Sequence, residues 1–281
     1  MELSAQSKVR LARSDIHEQW ESDYLNPEMD RFYDRAFARI LEVLDDTRGK
    51  TLLDAGCGYC YHTRRLAKSE LAITAVDFSN AALEQAQSTL ADAGLTGRIS
   101  LRQADLTALP FADASFDHVL MWGVLMHIPE AEKALSEIAR VLKPGGTLVL
   151  AENNARSLEV RFLEPVIESA RRILGRPART REETRLGIEE WQSADRGGLL
   201  VRKTDMRSLV EFCQGIGLEL TRRFAGELTQ IYTRLPGSLL KRLVYGLNRF
   251  YFRHIRVPGP ALGNILFFRK STPKDGRAPL D

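Results

Sequence analysis

The sequence predicts an α/β fold in which a mostly parallel sheet of seven strands is covered by helices on both faces. Short apolar segments alternate with helical segments between residues 50 and 152, a pattern typical of β-α-β units. The strands read as nearly continuous apolar runs, as expected for strands that are buried on both faces. With 281 residues, of which 44% are hydrophobic and 27% charged, the chain can form one large globular domain.

The individual elements follow from this alternation. Phe32, Ala36, Ile40 and Val43 recur at helical spacing and give the first helix an apolar face. The Lys-Pro-Gly-Gly run at 143–146 is expected to stop the helix before it, because proline and glycine end helices. Strands are predicted at 51–54, 73–77, 99–103, 116–121, 147–151, 218–224 and 265–269. Helices are predicted at 15–44, 62–69, 80–93, 130–142 and 205–215.

A single domain over residues 1–281 is expected, with a helical cap at 1–45. Two segments, 153–204 and 226–262, interrupt the alternation and are interpreted as insertions on the substrate side of the sheet. The remaining core is predicted to comprise 46–152, 205–225 and 263–270.

Charge is divided unevenly along the chain. Residues 1–151 carry 16 Lys and Arg against 22 Asp and Glu, a net charge of −6. Residues 152–281 carry 24 against 15, a net charge of +9. A cationic surface near a site favours anionic ligands. The insertions therefore predict an acceptor that carries a carboxylate or a phosphate, or that is linked to a lipid.

The stretch LLDAGCGYCYH allows two interpretations. Cys57 and Cys60 form a CxxC pair, which suits a redox or zinc site. Cys57, however, lies between Gly56 and Gly58 directly after a strand, where glycines let the backbone turn tightly and approach a ligand. A structural zinc site commonly needs two such pairs, and the third cysteine, Cys213, is isolated. The turn interpretation is favoured, and no metal is expected.

Acidic residues follow the next two strands, Asp77 after the second and Asp105 after the third. An acid about 20 residues beyond a glycine turn is the one that binds ribose hydroxyls in dinucleotide folds. Tyr61 occupies the third glycine position of that fingerprint, which argues against a nicotinamide enzyme. The motifs LLDAGCGYCYHTRRLA, ITAVDFS, QADLTALPFADASFDHVLMWGVLMHI and EIARVLKPGGTLVLAENN resemble the class I S-adenosylmethionine-dependent methyltransferases, in particular the ubiquinone-biosynthesis-like, small-molecule branch.

This resemblance implies a Rossmann-like fold and S-adenosyl-L-methionine as cofactor, with S-adenosyl-L-homocysteine as product. Asp54, Gly56 and Gly58, with Ala55 and Cys57 between them, would line the methionine part of the cofactor. Asp77 would accept the ribose hydroxyls, and Phe78 would pack on the adenine. Asp105 and Leu106 would contact the adenine edge, and Trp122 would flank the cofactor. Where the family often has a further glycine, this chain has Cys60.

Methyl transfer to a hydroxyl or an amine also needs a general base. His127 lies beyond the fourth strand, and an imidazole titrates near neutral pH, so His127 is the candidate base and His62 a weaker one. Trp20, Tyr24 and Tyr33 could form a lid over the cofactor. Glu152 and the two asparagines after it would suit a cation, but the loop after strand four adds no acid.

The function predicted is methyl transfer to the oxygen, nitrogen or carbon of a small molecule in a biosynthetic pathway. The alternatives are a non-catalytic module that binds the cofactor, and an RNA or protein methyltransferase. Nucleic acid is not an expected partner, since no RNA-binding module and no NPPY-like tetrad is present. The segment 239–256 could contact a membrane surface as a basic amphipathic helix or pack on the domain or on a second copy. A cytoplasmic location is expected, because the N-terminus has no apolar signal core.

Overall fold

The computed structural model describes Val9, Tyr24 and residues 26–175, 180–191, 199–235 and 237–272. Its main sheet has seven strands in the order β3-β2-β1-β4-β5-β10-β9. β10 is antiparallel to both of its neighbours, and the other pairs are parallel. The predicted fold class is thereby confirmed. The strands are β1 (Thr51–Ala55), β2 (Ala72–Asp77), β3 (Ile99–Gln103), β4 (Phe116–Trp122), β5 (Leu142–Asn153), β6 (Thr180–Thr184), β7 (Gly187–Trp191), β8 (Leu200–Thr204), β9 (Leu218–Ala225) and β10 (Gly263–Lys270).

Seven α-helices lie within the described residues, and none of them is both long and apolar enough to cross a membrane. They are α1 (Pro27–Leu44), α2 (Thr63–Leu66), α3 (Asn80–Asp92), α4 (Ala131–Val141), α5 (Glu164–Ile173), α6 (Met206–Gly215) and α7 (Ser238–Phe250).

The first predicted helix, at 15–44, does not run through Asn26. Asn26 has an extended backbone, and its side chain accepts hydrogen bonds from the N–H groups of Glu28 and Met29. Such a cap, followed by Pro27, starts a helix, so α1 begins at Pro27. The predicted apolar face is correct for the described part, since Phe32, Ala36 and Ile40 are buried. Residues 15–23, Trp20 among them, lie outside the described range.

The fifth strand is longer than predicted, because the Lys-Pro-Gly-Gly run belongs to it. β5 starts at Leu142, directly after α4, and Leu142 pairs with Phe116 of β4. The pairing register shifts between Phe116 and His118, which accommodates the two glycines. A Cβ on Gly146 would lie 2.7 Å from the carbonyl oxygen of Asp117. The glycine there serves the close approach of two strands rather than a turn.

The segment expected to be the first insertion contains a second, smaller sheet that was not predicted. β6, β7 and β8 form an antiparallel sheet between α5 and α6. Isolated bridging joins it to the main sheet, where Asn154 pairs with Thr204. The strands of this sheet are rich in charged residues, so their hydrophobic periodicity is too weak to reveal them.

Arg202 of β8 connects the small sheet to the loop after β4. Its side chain is almost fully buried and bonds to Glu189 of β7 at 2.9 Å through Nε. It also donates to the backbone carbonyls of Leu125, at 2.9 Å, and Pro129, at 3.2 Å. A buried guanidinium is tolerated only when its charge and its donors are matched. The position of the loop after β4 therefore depends on the insertion.

We expect Arg202→Met to lower the free energy of unfolding by about 3–5 kcal/mol, because it leaves the Glu189 carboxylate buried and unpaired. Urea denaturation measures this loss. Arg48→Met is the matched control, since the Arg48–Glu70 pair is exposed and its removal should cost under about 1 kcal/mol. Adding Glu189→Leu to Arg202→Met should recover part of the loss. Equal effects of the two single variants would show that the buried Arg202–Glu189 pair contributes no more to stability than an exposed pair.

Candidate functional site

The turn after β1 is held by the end of β2. The N–H groups of Gly56 and Cys57 donate to the carbonyl of Val76, at 2.8 and 2.9 Å. The N–H of Gly58 donates to Oδ2 of Asp77 at 2.9 Å. Three consecutive backbone donors are thus used to fasten the turn to its neighbouring strand. The carboxylate predicted to bind ribose lies beside the predicted glycine turn.

Gly56 is required sterically. Its φ is +85°, and a Cβ there would lie 2.6 Å from Cγ1 of Val124 in the loop after β4. Gly58, at φ +50°, has nothing within 4 Å of the place where a Cβ would be. Gly56 therefore closes the turn against the protein, while Gly58 leaves one side of the backbone open.

Cys60 adopts the left-handed conformation that glycine favours, with φ of +59°, at the position where the resemblance led us to expect a glycine. Its side chain is fully buried. This conformation costs a non-glycine residue roughly 1–2 kcal/mol, and burial of the thiol offsets part of that cost. The turn therefore retains a glycine-like path without the glycine.

The Cys57 and Cys60 thiols do not have the features of a redox pair. The hydrogen bond between their side chains, followed by burial, raises the pKa of Cys57 well above its ordinary value. A reactive cysteine needs the opposite shift, because the thiolate is the nucleophile and the metal ligand. Cys213 lies apart on α6, packed in the core. Within the described residues, no three His, Cys, Asp or Glu side chains are grouped closely enough for a metal ion.

Three carboxylates mark the ends of β1, β2 and β3. Asp54 is buried and accepts a hydrogen bond from Oγ1 of Thr63 at 2.5 Å. Burial raises the pKa of Asp54 to about 6, the Thr63 hydrogen bond opposes this shift, and the charge of Asp77 adds to it. Asp77 also accepts from the N–H of Ser79 at 2.9 Å. Asp105 accepts from the N–H and the hydroxyl of Thr107 through Oδ1.

Trp122, at the end of β4, belongs to an aromatic cluster beneath α1. Its ring centroid lies 4.8 Å from that of Phe37, 6.1 Å from that of Tyr33 and 5.7 Å from that of His62. Burial, with the charges of Arg65 and Arg64, lowers the pKa of His62 to about 3. The imidazole is therefore neutral at pH 7, and the packing around it is that of a core residue.

The other predicted cofactor residues differ in what they expose. Ala55 and Leu106 are buried, and Leu106 belongs to the core. Their side chains are therefore packed inside, and only their backbone groups remain for contact with a ligand at the carboxyl edge of the sheet. Phe78 is half-buried, and its carbonyl accepts from Nε2 of Gln103. All of these positions stand at the carboxyl edge of the sheet, where doubly wound folds bind their ligands.

His127 lies in a 3-10 turn, Leu125–His127, after β4. Its Nδ1 is 2.7 Å from the carbonyl oxygen of Leu200 in β8. Since a carbonyl only accepts, Nδ1 carries the proton and the lone pair of the neutral ring is on Nε2. The insertion therefore selects the tautomer of the predicted base.

A carboxylate that the sequence analysis missed lies just beyond β9. Glu227 is buried, and it accepts from the hydroxyl of Tyr232 at 2.9 Å and from Nε2 of Gln230 at 3.0 Å. Burial raises its pKa to about 7, against the effect of these two hydrogen bonds, and the charge of Glu159 raises it further. After burial, the charge of Glu227 is the largest cause of the raised pKa of Tyr33. The available signal was an acid after a predicted strand, the same signal that identified Asp77.

Glu152, at the end of β5, is a second buried carboxyl. Its Oε2 accepts from Oγ1 of Thr204 at 3.3 Å, and backbone N–H groups of Leu125 and Met126 also donate to this carboxyl. Burial raises the pKa of Glu152 to about 8, although the charge of Arg202 opposes that shift. At neutral pH this carboxyl is largely protonated, which is unsuitable for a cation ligand.

Comparison with known proteins supports one family. Residues 53–150 match the family described as a methyltransferase domain. For this segment the comparisons support the class I S-adenosylmethionine-dependent methyltransferases. The resemblance recognised in the sequence is confirmed at this level.

Two relatives and one solved structure illustrate the match. The methyltransferase GfsG of Streptomyces halstedii is 35% identical over 120 residues, 42% of this chain and 43% of the relative. A dimethylglycine N-methyltransferase of Parasynechococcus marenigrum is 32% identical over 179 residues, 61% and 63% of the two chains. The cyclase SpnF is 22% identical with a TM-score of 0.57, covering 85% and 82%, and shares the fold. The matches span about half of these relatives' own length.

We expect Gly56→Ala to destabilise the methyltransferase domain by at least about 2 kcal/mol more than Gly49→Ala, because its new methyl group meets Val124. Gly49 is the matched control, since its φ is +68° and a Cβ there would meet nothing within 4 Å. Thermal and urea unfolding compare the two variants. Adding Val124→Ala to Gly56→Ala should restore part of the stability. If the second change restores none, the contact with Val124 is not what requires glycine.

Proposed function

We propose that this chain transfers a methyl group from S-adenosyl-L-methionine to the oxygen, nitrogen or carbon of a small-molecule acceptor in a biosynthetic pathway. The observation that carries the proposal is the fastening of the glycine turn to Asp77, inside a chain segment that matches a methyltransferase domain. The relatives named above are methyltransferases, and one of them is named for a small amine, dimethylglycine.

The residues at the carboxyl edge fit the cofactor. The open side of Gly58 gives a backbone approach for the methionine part, and Asp54 stands beside it. Asp77 would hold the ribose hydroxyls, and Asp105 the adenine, with Phe78 and Leu106 next to them. When bound, the cofactor supplies a methyl group on a positively charged sulfur. The protein's contribution to such a displacement is chiefly proximity and alignment.

The surroundings of Trp122 support an acceptor with an apolar or aromatic part. Tyr33 packs at the edge of Trp122, and Tyr24 packs at the edge of Tyr232, with ring centroids 6.4 Å apart. Aromatic side chains line small-molecule sites, where a few polar groups fix the orientation of the ligand. Glu227 and the Tyr232 hydroxyl are such polar groups. The basic second half of the chain favours an acceptor that also carries a negative charge.

Two groups are proposed as general base. His127 keeps the role expected from the sequence, with its Nδ1–H directed to Leu200. Glu227 is the second candidate, because it is buried in reach of Tyr33 and its pKa lies at about 7, close to the value that general catalysis requires.

A non-catalytic role is the alternative, because binding of the cofactor does not by itself require turnover. One neighbour in fold is named as a cyclase rather than as a methyltransferase, and a shared fold does not determine the reaction. The test therefore has to measure methyl transfer as well as binding.

We expect the protein to bind S-adenosyl-L-homocysteine in calorimetric titration and to transfer a labelled methyl group to members of an acceptor panel of anionic and apolar small molecules. Asp77→Asn should weaken binding by about 2 kcal/mol, because it removes the charge that ribose hydroxyls bond to. Asp92→Asn, an exposed position on α3, is the control. Binding without transfer to any acceptor would favour the non-catalytic role, and unchanged affinity of Asp77→Asn would exclude the ribose assignment.

The two candidate bases predict different responses to substitution. If Glu227 is the base, the rate rises as pH increases through about 7, because only the ionised carboxylate accepts a proton. Glu227→Gln should then lower kcat by about 10²-fold and remove that rise. If His127 is the base, His127→Gln should lower kcat by about 10²-fold instead. Titration with S-adenosyl-L-homocysteine controls for intact cofactor binding in both variants, and full activity of both would reject the two assignments.

A further inference from the structure

The helix that begins the first insertion has its polar and apolar faces exchanged. Glu159, Glu164 and Glu168 are buried, with at most 9% of each exposed. Phe162 and Val166 are exposed to 61% and 67%. Glu164 pairs with Lys203 and Arg234. Glu159 accepts a hydrogen bond from Thr229. These two carboxylates are therefore bonded to groups inside the protein. The exposed apolar side chains of this helix and its flanks are Leu158, Phe162, Leu163, Val166, Ile173 and Leu174.

α7 also has an apolar stripe that the domain does not cover. Its inner side packs on α1, where Tyr245 accepts from Asn26 and Phe252 contacts Phe32, with ring centroids 4.9 Å apart. Its outer side carries Leu239, Leu240, Leu243, Leu247 and Phe250, all exposed. Of the alternatives that the sequence left open for residues 239–256, packing on the domain does not apply to Leu240, Leu243 and Leu247, which are exposed. The inner and outer stripes lie on opposite sides of one helix.

Positive charge surrounds the outer stripe of α7. The sequence contains no Asp or Glu between Glu227 and Asp275. Arg242, Arg253 and Arg256 are exposed. Arg256 and Arg222 lie near Arg39, whose pKa is lowered by burial first and then by their charges. Cationic side chains thus accompany the exposed apolar side chains along α7 and the turn after it, and one of them, Arg249, is paired with Glu28 at 2.7 Å. The basic residues from α7 to its C-terminal turn are Lys241, Arg242, Arg249, Arg253 and Arg256.

The two helices are fixed to the same loop. Thr229 donates its hydroxyl to Glu159 at 2.5 Å, and its backbone bonds to both ends of the Asn248 amide on α7, at 2.8 and 3.1 Å. The segments that carry them leave the sheet at its carboxyl edge, after β5 and after β9. Both helical segments are therefore hydrogen-bonded to the loop that follows β9, close to Glu227.

We propose that α5 and α7 form a docking surface for an anionic lipid bilayer. A helix with exposed leucine and phenylalanine and a rim of lysine and arginine inserts its apolar side at the interface while its cations contact the headgroups. A second copy of the chain fits less well, because a symmetric contact through α7 would bring its basic rim against the same rim. This surface goes beyond the proposed methyl transfer and does not depend on it.

The test is sedimentation of the full chain with vesicles, without cofactor or acceptor. We expect binding to phosphatidylcholine vesicles that contain phosphatidylglycerol, with much weaker binding to phosphatidylcholine alone and a loss at high salt. Leu243→Asn with Leu247→Asn should lower the partition coefficient about tenfold or more, because it removes apolar area. Lys241→Glu with Arg242→Glu should lower it by a similar factor, since each cation near an anionic surface contributes about fivefold.

The matched control is Lys68→Glu with Lys133→Glu, the same change in net charge at exposed positions on other elements. This variant should retain most of the binding. Equal loss in the control and in the α7 charge variant would show a nonspecific charge effect and overturn the docking surface. Absence of binding to either vesicle would also overturn it. A dimer in solution would overturn it as well, if Leu243→Asn with Leu247→Asn dissociates that dimer. The surface would then be occupied by a second copy of the chain.

Discussion

The contact between Gly56 and Val124 is the constraint on which the site depends. The turn after β1 passes between the end of β2, which takes three of its N–H groups, and the loop after β4, which leaves no room for a Cβ at Gly56. These two neighbours bring together the backbone of Gly58, the carboxylate of Asp77 and the ring of Trp122. Each belongs to a different strand end, and none is positioned by its own strand alone.

The segment between β5 and α6 holds the loop after β4 on the side away from Gly56. Arg202 holds the carbonyls of Leu125 and Pro129, and Leu200 holds His127. The loop that confines Gly56 is therefore itself confined by a small sheet with buried charges. Buried ion pairs specify geometry more than they stabilise it. This is consistent with a role of the insertion in shaping the site.

α7 connects the candidate site with the proposed membrane surface. The ring of Tyr245 lies 4.8 Å from that of Tyr232, the hydrogen-bond donor to Glu227. On the opposite side of the same helix, Leu243 and Leu247 are exposed. A helix of 13 residues that contacts the lining of the site on one side and lipid on the other would present the site to apolar acceptors at the bilayer surface.

The sequence by itself determined which seven segments form the main sheet and the order of the site motifs. β3 begins and ends at the predicted residues, because the alternation of Ile99 and Leu101 with polar residues, between turn residues, is a local signal. Asp77 could be found because its position follows from the same pattern, whereas its ligand stays a prediction. The tertiary structure decided the start of β5, where pairing with Phe116 overrides Pro144.

Burial of Arg202 was also decided by the tertiary structure, since a charged residue is buried only where partners meet it, and Glu189 and the carbonyl of Leu125 come from other segments. The exposure of Leu243 belongs with these features, because periodicity gives a helix an apolar face but does not say what covers it.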